Sequence, residues 1–176
     1  MEIILEIMNN LKNKSIKFLD LTYQSNEKKP LLAVFDRVLT AGIFVLGKEV
    51  ENFEKKFAKY LGIKYCVGVA NGLEALQIAL MAEGIGLSDE IITTPISAMA
   101  TTLAILAVGA KPVFVDTNEN GLIDTDLIEK VITKKTKAIL PVHLYGNSAD
   151  LEKLKTICKK NKLNLIEDAC QAHGSK

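Results

Sequence analysis

Residues 89–116, DEIITTPISAMATTLAILAVGAKPVFVD, decide the fold class. Two short runs rich in β-branched residues, EIITT at 90–94 and KPVFVD at 111–116, flank SAMATTLAILAVG at 97–109, which is long enough for a helix and stops on a glycine. Strands joined by a helix-length crossover run parallel, because a tight hairpin can only reverse direction. The alternation continues outward with strands expected at KYCVGV (64–69), KAILPV (137–142) and LNLIED (163–168). Helices are expected at GLEALQIALMAEG (72–84), TDLIEKVITK (125–134) and ADLEKLKTICKKN (149–161). The expected architecture is α/β in three layers, a mostly parallel sheet flanked by helices on both faces.

Upstream, residues 1–29 are polar and irregular and read as an arm; residues 30–176 read as the domain. PLLAVFDRVLTAG spaces Leu31, Val34, Phe35 and Val38 as a helix that stops at Gly42. KEVENFEKKFAKYLG places Val50, Phe53, Phe57 and Leu61 on one face, charges on the other, and closes on Gly62.

Composition narrows the function classes. With 176 residues and 48% hydrophobic positions the chain can bury a core, roughly 70% of its unfolded surface. A net charge of +1 provides no basic field for a nucleic acid. The N-terminal MEIILEIMNN has Glu2 and Glu6 and no leading basic residue, the wrong polarity for a secretory signal. The apolar stretch 98–110 is too short to span a bilayer. A cytoplasmic protein with no nucleic-acid or membrane partner is expected. Cys66, Cys158 and Cys170 share no CxxC spacing and read as free thiols, and His143 and His173 have no metal-ligand spacing, so no metal site is expected.

In open parallel sheets a ligand sits beyond the carboxyl ends of the strands. Segments 70–74, 95–102, 116–120, 143–147 and 168–174 should therefore line one crevice. In GVANGLEALQIAL a strand ends, Asn71-Gly72 turns the chain and a helix begins, so free backbone N–H groups and the helix dipole face outward where a phosphate could sit. In LNLIEDACQAHGSK, Glu167 and Asp168 end an apolar strand; a carboxylate there is costly to desolvate unless a cation meets it.

Taken together and in order, FVLGKEVENFEKKFA, GVANGLEAL, DEIITTP, GAKPVFVD, TKAILPVHLYG and IEDACQAHGS resemble the DegT/StrS-type sugar aminotransferases, pyridoxal-phosphate enzymes of the aspartate-aminotransferase (type I) fold. The resemblance covers residues 19–176. It implies that the turn of Gly72, Leu73 and Glu74 holds the cofactor phosphate through backbone N–H groups. Asp168 would face the pyridine nitrogen and keep it protonated, and Gln171 would contact the ring hydroxyl side. His143 and Tyr145 correspond to a strand-end pair beside the site, His143 as a positioning residue, and His173 and Gly174 complete the motif. Leu73 stands where relatives often carry Thr or Ser. Where the family stacks an aromatic residue on the ring, this chain offers Ala98 or Met99.

By the same resemblance the reaction is transamination of a nucleotide-linked keto-sugar, with glutamate as the usual amino donor, in a homodimer whose loop 42–47, with Phe44, lies near the partner. The lysine that forms the Schiff base is expected downstream of Lys176. The chain would then be the N-terminal part of the large domain, without the small domain and without catalysis of its own. Two alternatives keep the fold: a lysine-less relative acting as a sugar dehydratase or a non-catalytic cofactor- or sugar-nucleotide-binding protein, and an inactive, interaction-prone fragment.

Overall fold

A computed structural model describes residues 27–175, and most of the expected arm lies outside the described residues. The chain divides into two compact units, Met1–Cys66 and Val67–Lys176.

In the first unit α1 spans Lys28–Ala41 and α2 spans Lys48–Leu61. Pro30 falls in the first turn of α1, where a missing N–H costs nothing. Both helices end on the expected glycines. Gly42 and Gly62 adopt left-handed φ values of 65° and 69°, which let the backbone fold back onto the last free carbonyls. Glu49 and Glu51 sit in the first turn of α2 and Lys59 in its last, each favourable to the helix dipole. Phe53 stacks on Phe57 with ring centroids 5.3 Å apart. Arg37 Nε donates to Glu49 Oε1 at 2.8 Å, which raises the guanidinium pKa and lowers that of the carboxyl.

The second unit carries a four-stranded, all-parallel sheet: β1 (Glu90–Thr93), β2 (Lys111–Phe114), β3 (Thr136–Ile139) and β4 (Asn164–Leu165), in the order β2-β1-β3-β4. Its helices are α3 (Gly72–Ala82), α4 (Met99–Ala107), the single turn α5 (Thr125–Ile128) and α6 (Leu151–Asn161). Period-2 alternation divides the core between the two faces. Ile91, Ala138 and Leu140 pack with Leu76 and Leu80 of α3 and Ala104 and Ile105 of α4. Their neighbours Ile92 and Ile139 pack on the opposite face with Ile128 of α5 and Leu154 and Ile157 of α6. Strands buried on both faces explain why the sequence shows continuous apolar runs, and the three-layer expectation holds.

Two expected elements differ. Residues 64–69 form no strand; Tyr65 and Val67 are exposed, and the ladder has no strand beside them among the described residues. The helix expected at 125–134 stops at Ile128, because β-branched Val131, Ile132 and Thr133 are poor helix formers. Thr133 is held elsewhere, its hydroxyl donating to Glu90 Oε2 at 2.6 Å and its N–H to Thr136 Oγ1 at 2.9 Å.

The three thiols are free: Cys158 is buried, Cys66 half-buried and Cys170 exposed. Burial raises the Cys158 pKa from 9.0 to about 11. Because the thiol is the favoured form in the folded chain, its stabilising contribution is complete below pH 9.0 and is lost as the pH rises through about 11. At pH 8 iodoacetamide should modify Cys158 only after denaturation, which peptide mass spectrometry reads directly. No helix among the described residues is long and apolar enough to cross a membrane.

Candidate functional site

The chain order reverses at β1, which pairs with β2 on one side and β3 on the other. Such a switch point leaves a crevice beyond the carboxyl ends of the strands, because the connections leave in opposite directions. A cavity of about 320 Å³ lies there. Asn71, Gly72, Leu73 and Leu76 line it from the start of α3, and Ser97, Ala98 and Ala100 from the β1–α4 segment. Val142, His143 and Leu144 follow β3, and Asp168, Cys170 and Gln171 follow β4. Segment 116–120, also expected at the rim, is absent from the lining. It follows the edge strand β2, away from the switch point, and turns back on itself, with Asn118 N–H donating to the Leu122 carbonyl at 2.8 Å.

Asn71 caps α3, its Oδ1 accepting from the Glu74 N–H at 2.9 Å. The Asn71 carbonyl takes the Ala75 N–H at 3.0 Å, so among the described residues the Gly72 and Leu73 N–H groups are the donors left at this helix start. Gly72 is needed for close approach: a Cβ built there would stand 2.9 Å from Cys170 Sγ.

Asp168 is the anion of the cavity, 6% exposed. Its backbone extends the sheet by a parallel bridge to Val142, the Asp168 N–H donating to the Pro141 carbonyl at 3.0 Å and the His143 N–H to the Asp168 carbonyl at 2.9 Å. Its carboxylate accepts from the Thr101 hydroxyl at 2.8 Å and the Cys170 N–H at 3.3 Å. Burial, and then hydrogen bonding to Asp168, raise the Cys170 pKa, so the side chain is present as a thiol at neutral pH. All these donors are neutral, and among the described residues no Lys or Arg lines the cavity. A buried carboxylate with only neutral donors favours a cationic ligand group beside it.

His143 is buried with both ring nitrogens engaged. Nδ1 accepts from the Ala149 N–H at 3.0 Å, which places the proton on Nε2, facing Glu167 Oε2 at 3.0 Å. The ring therefore anchors the β3–α6 loop to β4 and has no nitrogen left to act as a base in the cavity. Gln171 Oε1 accepts from the Tyr145 N–H at 3.1 Å, and Ser175 Oγ donates to the Gly146 carbonyl at 2.7 Å. These bonds join the two rim loops.

Of the residues expected at the site, Gly72, Leu73, His143, Asp168 and Gln171 line one cavity. Three are placed differently. Met99, at the first position of α4, is 70% exposed and outside the lining, because the helix turns Ala98 and Ala100 inward. Glu74 is on the outer side and its N–H is already bonded to Asn71. Tyr145 contributes only its N–H at the rim, with its side chain 82% exposed. Ser97, Thr101 and Cys170 had no assigned role in the sequence reading. Ser97 and Thr101 are spaced like helical neighbours, but nothing local ties either to Asp168.

A doubly wound sheet with a helix start and a buried acid facing one cavity at its switch point is the architecture of many ligand-binding α/β domains. Residues 25–176 match the model of the DegT/DnrJ/EryC1/StrS aminotransferase family, and the chain belongs to that family. It is 49% identical over 162 residues to the dTDP-3-amino-3,6-dideoxy-alpha-D-galactopyranose transaminase of Aneurinibacillus thermoaerophilus, covering 91% of this chain and 45% of that protein. Among solved structures it superposes on DesV of S. venezuelae in complex with a ketimine intermediate with a TM-score of 0.88 at 43% identity, over 90% of this chain and 43% of that one. NtdA from Bacillus subtilis, solved with bound cofactor PMP, gives a TM-score of 0.84 at 38% identity, over 93% of this chain and 39% of that one. The chain thus spans less than half the length of these relatives.

Proposed function

We propose that the cavity binds pyridoxal 5′-phosphate and that the protein transfers an amino group to a nucleotide-linked keto-sugar, with glutamate as the amino donor. The observation that carries this reading is the buried Asp168 carboxylate, held among the described residues by neutral donors and facing the same cavity as the Gly72 and Leu73 N–H groups of α3. The residues fit the cofactor at both ends. Gly72 and Leu73 N–H groups would hold the phosphate, and Asp168 would hold the protonated ring nitrogen. Gln171 would lie on the ring hydroxyl side, and Ala98 would cover a face of the ring. His143 keeps the β3 loop in register with β4. When bound, the cofactor supplies an electron-accepting ring and an exchangeable amino group. The dTDP-linked sugar in the name of the Aneurinibacillus thermoaerophilus relative supports the sugar-nucleotide substrate. A cytoplasmic homodimer is part of the same reading, and the apolar side chains that the first unit exposes, Phe35, Phe44 and Val45 among them, support the dimer.

The test uses pyridoxamine 5′-phosphate, whose amine cannot condense with the many lysines of this chain as an aldehyde would. Isothermal titration should show tighter binding than for pyridoxamine without phosphate. Gly72→Val should remove roughly tenfold or more of that preference, equivalent to losing one charge-assisted hydrogen bond. An unchanged preference would remove the α3 start from the site.

A further inference from the structure

We propose that Ser97 and Thr101 form a two-hydroxyl chain that fixes the Asp168 carboxylate toward the ring nitrogen of the bound cofactor; this rests on the pyridoxal-phosphate reading above. Thr101 is 1% exposed, in the first turn of α4, and its Oγ1 donates to Asp168 Oδ2 at 2.8 Å. An ionised carboxylate is acceptor-only, so the single hydrogen of the Thr101 hydroxyl is spent on Asp168. The 2.7 Å contact between Ser97 Oγ and Thr101 Oγ1 is therefore donated by Ser97. The donors run in one direction, from Ser97 in the cavity lining through Thr101 to the buried acid. Each donor polarises the next, which strengthens the final bond to the carboxylate.

The other carboxylate oxygen, Oδ1, accepts from the Cys170 N–H at 3.3 Å. One oxygen is thus held by the hydroxyl chain and the other by the backbone two residues on, so the carboxylate plane is fixed from both sides. A functional group held in this way keeps its orientation before the ligand arrives. Thr101 touches neither cofactor nor substrate in this scheme. It is a positioning residue, acting through Asp168.

A merely structural hydroxyl would affect how well the domain folds but would not discriminate between ligands that differ only at the ring nitrogen. The experiment therefore measures equilibrium binding of pyridoxamine 5′-phosphate and of its 1-deaza analogue, in which carbon replaces that nitrogen, to the full chain. The wild type should prefer the pyridine ring. Thr101→Val keeps the branched shape and removes the donor; it should lower that preference about tenfold, or about 1.4 kcal/mol. Thr101→Ser should retain it, and Ser97→Ala should lower it by a smaller factor. The ratio of two affinities is insensitive to the folded fraction, and Ser97→Ala, at the cavity wall, tests the same chain if Thr101→Val does not fold. A wild-type preference that survives both Thr101→Val and Ser97→Ala overturns the positioning role and leaves the cofactor reading standing. A wild type without preference overturns the ring-nitrogen contact itself, and the positioning role with it.

Discussion

Asp168→Asn should weaken binding of pyridoxamine 5′-phosphate roughly 10- to 100-fold, because a charge-assisted hydrogen bond contributes about 1.5–3 kcal/mol. The same substitution should leave the urea midpoint of the ligand-free chain nearly unchanged. Asparagine keeps an acceptor for the Thr101 hydroxyl and loses the one for the Cys170 N–H, a weak bond at 3.3 Å, and this loss is offset by discarding a buried charge that meets neutral donors among the described residues. Affinity lost at constant stability is the signature of a group maintained for its ligand. If Asp168→Asn instead lowered stability and left affinity alone, the acid would be a strand-end fixture that ties β4 to α4, and the cavity would need a different ligand.

Ile139→Ala should cost about 2–5 kcal/mol, the range for emptying a fully buried aliphatic site. Ile139 is 0% exposed on β3, paired to Ile92 of β1 and Leu165 of β4, and packs in the layer with Leu154 and Ile157 of α6. A domain of ordinary stability, about 5–15 kcal/mol in total, would lose a large share from this one side chain. Leu87→Ala, at a position 85% exposed, should stay within about 0.5 kcal/mol and serves as the control. Equilibrium urea unfolding of the two variants checks the pair. Equal costs would mean that the sheet does not carry the core on this face.

The fold was legible where pattern and local chemistry agreed. The β-branched runs at 90–94 and 111–116 on either side of a helix-length stretch marked parallel strands, and Gly42 and Gly62 marked helix ends that need a left-handed residue. The run at 64–69 misled because β-branched composition describes a strand's surface, whereas a strand exists only when another lies beside it. At the site, Asn71, Gly72 and Asp168 were readable because strand ends and helix starts follow from the alternation. Met99 was not, since one residue of helical phase decides whether Ala98 or Met99 faces the cavity. The Asn71-Gly72-Leu73-Glu74 sequence carried its own capping signal, with an Asx side chain three residues before the N–H it accepts. That signal competed with the phosphate assignment for Glu74, and the cap took the donor. Thr101 and Asp168 lie 67 residues apart in sequence, and only the parallel crossover brings them together.

In the proposed complex one cavity takes the phosphate at the start of α3 and the ring at Asp168. Its most direct measurement is the amide ¹H–¹⁵N spectrum of the chain during titration with pyridoxamine 5′-phosphate. The Gly72 and Leu73 amides should shift together with the Cys170 and Gln171 amides, saturating at one common concentration, and pyridoxamine without phosphate should leave the first pair in place. Shifts confined to other surfaces, or a Gly72 amide that does not respond to the phosphorylated ligand, would mean that this cavity is not the cofactor site.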